Sequence, residues 1–109
     1  MTLPELYNIL KATGYPVAYS HFTATPTSPV PSPPYIVYLS SYSSNFNADD
    51  VVYKKVDNVQ VELYTTKKDL AAEAKLEVAL DTNGIVYDST ETYIESEKLF
   101  QKIYEVRSI

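Results

Sequence analysis

His21 is the single histidine of the chain, and Ser20 stands directly before it. A serine and a histidine make a nucleophile and its general base when their side chains meet. Along a strand, successive side chains point to opposite faces, and "VAYSHF" over Val17–Phe22 reads as a strand. On that reading the pair cannot cooperate, and His21 is a half-buried polar ring. The stretch Asn45-Phe46-Asn47-Ala48-Asp49-Asp50 sets oxygens at alternate positions, as a calcium loop begins. Its sixth position needs glycine and holds Asp50; its twelfth needs a bidentate glutamate and holds Val56. A polar loop is the better reading. Glu91, Glu95 and Glu97 are near one another, but no neighbour would raise one carboxyl pKa and lower another, as acid–base work requires. They read as a solvated rim. Two glycines in all exclude a phosphate-cradling loop or dinucleotide fingerprint. The absence of cysteine removes thiolate nucleophiles, disulfide frameworks and most structural zinc sites. The expectation is a protein without catalysis, cofactor or metal.

One non-enzymatic motif remains. Residues 24–34 form a proline-rich segment, with Pro26-x-x-Pro29 and Pro31-x-x-Pro34 matching the minimal left-handed ligand of aromatic grooves. Such ligands carry a flanking Arg or Lys, and none lies between Lys11 and Lys54; "PPY" also lacks the spacer of a WW-type ligand. The segment could equally be a stiff loop that loses little entropy on ordering, or a guard that keeps a sheet edge from pairing wrongly.

The elements that must carry these residues are legible to different degrees. Thr2 and Glu5 have capping-box spacing, Pro4 fits the first turn, and Leu3, Leu6, Ile9 and Leu10 form an apolar stripe before Gly14. Tyr35–Tyr42 is a strand with Tyr35, Val37 and Leu39 on one face and Ile36, Tyr38 and Tyr42 on the other, which suits a central strand or one that meets a partner. "SSNFNADD" reads as a polar loop, and "VVYKK" with "NVQVELYTT" reads as a hairpin about Asp57-Asn58. The latter strand turns Val59, Val61 and Leu63 inward and Gln60, Glu62 and Tyr64 outward. Residues 68–81 form a second helix with Ala72, Leu76, Ala79 and Leu80 as its buried stripe. Ile85–Ile94 is strand-like. The last segment fits both periodicities; Ile103, Tyr104 and Val106 favour a strand after a turn at "ESE".

With 109 residues and 45% apolar composition, one domain spanning 1–109 can bury a core of its own. The expected class is α+β: a mostly antiparallel sheet of four to six strands with both helices on one face, in the order α-β-β-β-β-α-β-β. "MTLPELYNIL" has no basic region and reads as no signal peptide, and no apolar run approaches a membrane span. The net charge of −5, without a basic stripe, makes the chain a poor binder of phosphate backbones; Lys54-Lys55 and Lys67-Lys68 are too sparse for a patch. Eleven tyrosines against no tryptophan suit half-buried sheets and protein interfaces.

The strings "MTLPELYNILKATGYPVAYSHF", "PPYIVYL", "SNFNADDVVYKK", "VELYTTKKDLAAEAKLE" and "TYIESEKLFQKIYEV" span almost the whole chain in order. In this it resembles the small tail proteins of long-tailed bacteriophages and prophages, of the tail-terminator or tail-completion type found in Gram-positive hosts. The resemblance implies a virion structural protein, assembled in the host cytoplasm as a ring of its own copies, commonly a hexamer. The ring would cap the tail tube, stop its polymerisation and meet the head–tail connector protein. Neither specific nucleic-acid binding nor a membrane is implied, although DNA would pass through the ring. A head-closure component and a proline-dependent adaptor are the alternatives. Under the ring reading the proline segment is an arm, and the contact residues are Pro31, Pro33, Tyr42 and Phe46, with Asp49 and Asp50 nearest the lumen or tube. Phe46 stands out as a large ring in a polar loop.

Overall fold

The computed structural model describes residues 2–27, 29–43, 46–48, 51–54 and 57–106, and within 41–57 the backbone alone. The chain begins with helix α1, Leu3–Lys11. Its start is fixed as the sequence predicts: the Thr2 hydroxyl oxygen accepts from the Glu5 backbone N–H at 3.3 Å, and the same hydroxyl donates to the Glu5 carboxylate at 3.0 Å. Gly14, at φ +87°, ends the turn that follows.

Strand β1, Val17–Tyr19, is shorter than "VAYSHF" suggests. Ser20 takes φ +67°, a left-handed conformation that turns the chain out of the ladder, and the Ser20 N–H closes the strand on the Tyr38 carbonyl at 2.8 Å. The chain crosses the proline segment, which includes a cis Pro33–Pro34 bond, and enters β2, Tyr35–Ser43. Strands β3 (Phe46–Ala48) and β4 (Val51–Lys54) come next, then β5 (Asp57–Thr65), helix α2 (Leu70–Thr82), β6 (Tyr87–Ile94) and β7 (Leu99–Val106). The ambiguous last segment is thus a strand, reached through the turn at 95–98. Asp69 caps α2 by accepting from the Ala72 N–H at 3.0 Å.

The main sheet has the order β1-β2-β5-β7-β6, antiparallel except for the β1–β2 edge. The fold is α+β with two helices on one face, in the expected class. The order has one strand more before α2 than expected, β3, and the expected hairpin is overturned. No hairpin turns about Asp57-Asn58; both residues lie in β5, opposite Ser43 and Tyr42 of β2. Strand β4 pairs instead with β3, inside what reads as a polar loop, and the two form a separate two-stranded sheet. The reason is competition for partners. Pairing β5 with β2 sets Ile36 against Leu63 and Tyr38 against Val61, four inward side chains at 8% exposure or less, which a β4–β5 hairpin would forgo.

Register explains the core. One row across the sheet reads Tyr38, Val61, Tyr104, Ser89, and the next reads Ile36, Leu63, Lys102, Glu91. Both rows face the helices, where Leu6 and Leu10 of α1 and Ala72, Leu76 and Leu80 of α2 close over them. The first row turns polar at β6 with Ser89 and the second already at β7 with Lys102, so the apolar core ends before the sheet does.

Candidate functional site

The side of the sheet away from the helices carries Tyr35 and Val37 of β2 beside Tyr64 of β5. Phe22 meets Tyr35 edge-on at 5.2 Å between ring centres, and Tyr35 stacks on Tyr64 at 5.1 Å. The Tyr64 hydroxyl donates to Glu62 at 2.9 Å and accepts from the Gln101 amide at 2.8 Å. Burial, and then the Glu62 carboxylate, push its pKa upward; burial and Glu97 do the same for Tyr35. Both phenols stay neutral at physiological pH and act as packing groups with a polar tip.

The proline segment lies partly over this face. Its first half is exposed, whereas Pro31, Pro33 and Pro34 are half-buried. Val30, Phe22, Tyr35, Val37 and Tyr64 line a small cavity of about 180 Å³, with Ser20, His21 and Glu97 at its polar side. Here the strand argument about Ser20 and His21 is corrected. Because Ser20 is left-handed, the two side chains lie on the same side, with His21 Nδ1 and Ser20 Oγ 3.2 Å apart. Both are solvent-exposed, and among the described residues no carboxylate hydrogen-bonds to the other ring nitrogen. A general base needs that orienting partner, so the contact is one between chain neighbours without the geometry of a triad.

Charge gathers on the opposite side, between α2 and β7. Glu73 is buried, at 7% exposure, and receives Lys102 Nζ at 2.9 Å and Lys68 Nζ at 2.8 Å. Lys102 also reaches Glu77 at 3.4 Å, Tyr104 donates its hydroxyl to Glu77 at 2.7 Å, and Lys68 reaches Glu91 at 2.8 Å. Burial alone would raise the Glu73 pKa, but its hydrogen bonds with Lys68 and Lys102 outweigh burial and hold it below the ordinary carboxylate value. Lys68 is pushed up to about 12 by its bonds to Glu73 and Glu91. Glu73, Lys68 and Lys102 are each held in the charged form, the reverse of a catalytic acid or base drawn toward neutrality. Glu91 is therefore a member of an ion network, not of a free rim with Glu95 and Glu97. Sequence reading missed Glu73 and Glu77. Their one signal was Lys102, which alternates with Phe100 and Tyr104 on the inward side of β7 and so demands an acid from the helix above.

A third feature is an open groove of about 570 Å³ between the helices, lined by Ile9, Ala12, Ala74, Lys75, Val78 and Ala79 among others. Lys75 Nζ sits 5.3 Å above the Tyr15 ring. The described residues include no helix long and apolar enough to cross a membrane and no group of three or more acidic or histidine side chains placed to hold a metal ion.

The predicted contact residues separate into two sets. Pro31 and Pro33 precede β2 and are half-buried. Tyr42 lies near the other end of that nine-residue strand, beyond a bulge, and Phe46 starts β3 in register with Lys54. The length of β2, roughly 27 Å at about 3.4 Å per residue, keeps the sets apart. The side chains of Tyr42 and Phe46, and all of Asp49, Asp50 and the remaining calcium-like positions Asn45 and Val56, lie outside the described residues. No protein-family model matches the chain, and no curated protein matches it.

Proposed function

We propose that this chain is a structural protein of phage tail assembly, of the terminator or completion kind. It would form a ring of copies at the head-proximal end of the tail tube, stop tube growth and join the tube to the head connector. One observation supports this best: among the described residues the sheets present open edges beyond the core. The β3–β4 pair is a two-stranded sheet of its own, and β6 is an eight-residue edge strand whose middle six residues are exposed. A two-stranded sheet is marginal in water and gains stability from a third strand or a packed surface. The ordered resemblance to small tail proteins points the same way. The net charge of −5 suits a channel that DNA traverses without adhering.

The test is direct. Tail-tube protein encoded by the same genome is polymerised with and without the purified chain, and the tubes are measured by electron microscopy. Shorter tubes carrying a ring at one end only are expected. Tubes of unchanged length with no terminal density would overturn the proposal.

A further inference from the structure

We infer that the small cavity bounded by Phe22, Tyr35, Tyr64 and Glu97 is a binding site for a guanidinium group. The site stands independently of the ring reading. Size excludes most ligands first. At about 180 Å³ the cavity is smaller than the roughly 300–1,000 Å³ that drug-sized ligands occupy, so it admits a small ion or the end of one side chain. Charge then selects a cation. Glu97 lines the cavity, and among the described residues no lysine or arginine does. Among the same residues Glu97 forms no ion pair, so its charge is available to a visitor. Burial, and then the Glu97 carboxylate, raise the Tyr35 pKa, which shows that this charge is felt at the rings.

The rings supply the other half of the site. Phe22, Tyr35 and Tyr64 all line the cavity and all are half-buried. Tyr35 spends one face on Tyr64 and meets Phe22 edge-on. An edge-on pair occupies the face of only one of its rings, so Phe22 keeps at least one face that Tyr35 does not cover. Such faces attract cations. Guanidinium suits this combination better than ammonium does. It is planar and weakly hydrated, and it can stack on a ring while its fork of N–H donors engages a carboxylate. The Ser20 hydroxyl, 3.2 Å from His21 Nδ1, offers a further acceptor at the polar side of the cavity.

The test is a titration of the isotope-labelled protein with acetyl-arginine amide at low salt, followed by the backbone amide signals of Ser20, His21, Phe22 and Glu97. Saturable shifts with a Kd on the order of 1 mM are expected from one carboxylate and one ring face. The neutral isostere, acetyl-citrulline amide, should bind about tenfold more weakly or worse, and acetyl-lysine amide several times more weakly. Glu97→Gln, at an exposed turn position, should weaken arginine-amide binding about fivefold, and Phe22→Leu about threefold, both with native circular dichroism. An arginine flanked by glycines in a pentapeptide separates two sources of the group. Affinity equal to that of the amide assigns the cavity to a side chain of another protein, and binding of the amide alone assigns it to a free small molecule; both support the site. Equal affinity for the citrulline amide, or an unchanged Kd in Glu97→Gln, would overturn it. Equal affinity for the lysine amide would overturn the choice of guanidinium, and no saturable shift at any soluble concentration would remove the site altogether.

Discussion

On the helix-covered side of the sheet, Ile36, Val61, Leu63 and Tyr104 are sealed from solvent, while across the same strands Tyr35, Tyr64, Gln101 and Ile103 stay half-exposed under part of a proline segment. The first surface draws on apolar burial and one compensated ion network. The second draws on stacked rings, of which Tyr64 keeps its hydroxyl partnered. Sealed apolar packing and half-exposed ring packing thus occupy different sides of one sheet. Truncating a side chain on each side tests that division most severely. Leu76→Ala, at a position with no exposure, should cost about 3 kcal/mol, within the range for buried leucines. Leu39→Ala, half-buried on the outer side, should cost about 1 kcal/mol, because the site can relax toward solvent. Urea unfolding of both variants measures the contrast, and equal losses would break it.

The ion network is the charged component of the sealed side among the described residues, and it can be separated from apolar packing by pH. Glu73→Gln keeps the shape and removes the charge that two lysines share, and should cost about 1–2 kcal/mol at neutral pH. The sign of the pH dependence follows from the shifts. The native Glu73 pKa is lowered, so its contribution is present above the ordinary carboxylate value of about 4.3 and is lost as pH falls through the lowered native value. Lys68 is raised to about 12, so its smaller, solvent-screened contribution is present below about 10.4 and fades as pH rises toward 12. Unfolding free energy measured from pH 2 to 7 should therefore fall more steeply on the acid side for the wild type than for Glu73→Gln. Parallel curves would mean that Glu73 contributes nothing through its charge.

How far each region could be read from sequence follows the same division. Helix α1 was legible because Thr2, Pro4, Glu5 and Gly14 are local signals that need no partner. The inward alternation of Val59, Val61 and Leu63 was legible for the same reason. The pairing of β4 was not, because adjacency in sequence favours a β4–β5 hairpin, while the outcome is set by β5 competing for Ile36 and Tyr38 from some twenty residues away. The left-handed turn at Ser20 was hidden as well, since serine carries no strong preference for it, and that turn reversed the geometry expected of His21. Glu73 drew no reading from the sequence, because its role depends on Lys102, 29 residues later, lying beneath it. Of the predicted contact residues, Pro31 and Pro33 fall on a surface that can be described, and they share it with Phe22 and Tyr64, which sequence reading did not select.

Smaller changes on the outer side sharpen the comparison. Tyr64→Phe keeps both ring contacts and removes the hydroxyl shared by Glu62 and Gln101, so a loss of about 1 kcal/mol is expected, with no change in Leu76-side packing as seen by near-ultraviolet circular dichroism. A loss of about 3 kcal/mol would show that the outer side holds the fold as firmly as the core does.

The smallest expected effect is also the one that decides what the proline segment is for. Pro31 is half-buried, so replacing it by alanine removes a few contacts and returns backbone freedom to the unfolded chain, for a predicted loss of about 0.5 kcal/mol. As a cover for its own sheet, the segment should show that loss in urea while self-association and tube capping stay at the wild-type level. As an arm that docks on a neighbour, it should show the opposite: unchanged unfolding and weakened association. The half-burial of Pro31, Pro33 and Pro34 beside a cavity lined by Val30 and Tyr64 favours the cover. On that account the prolines sit beside β2 because a segment without N–H donors can lie near tyrosine rings without competing for the ladder.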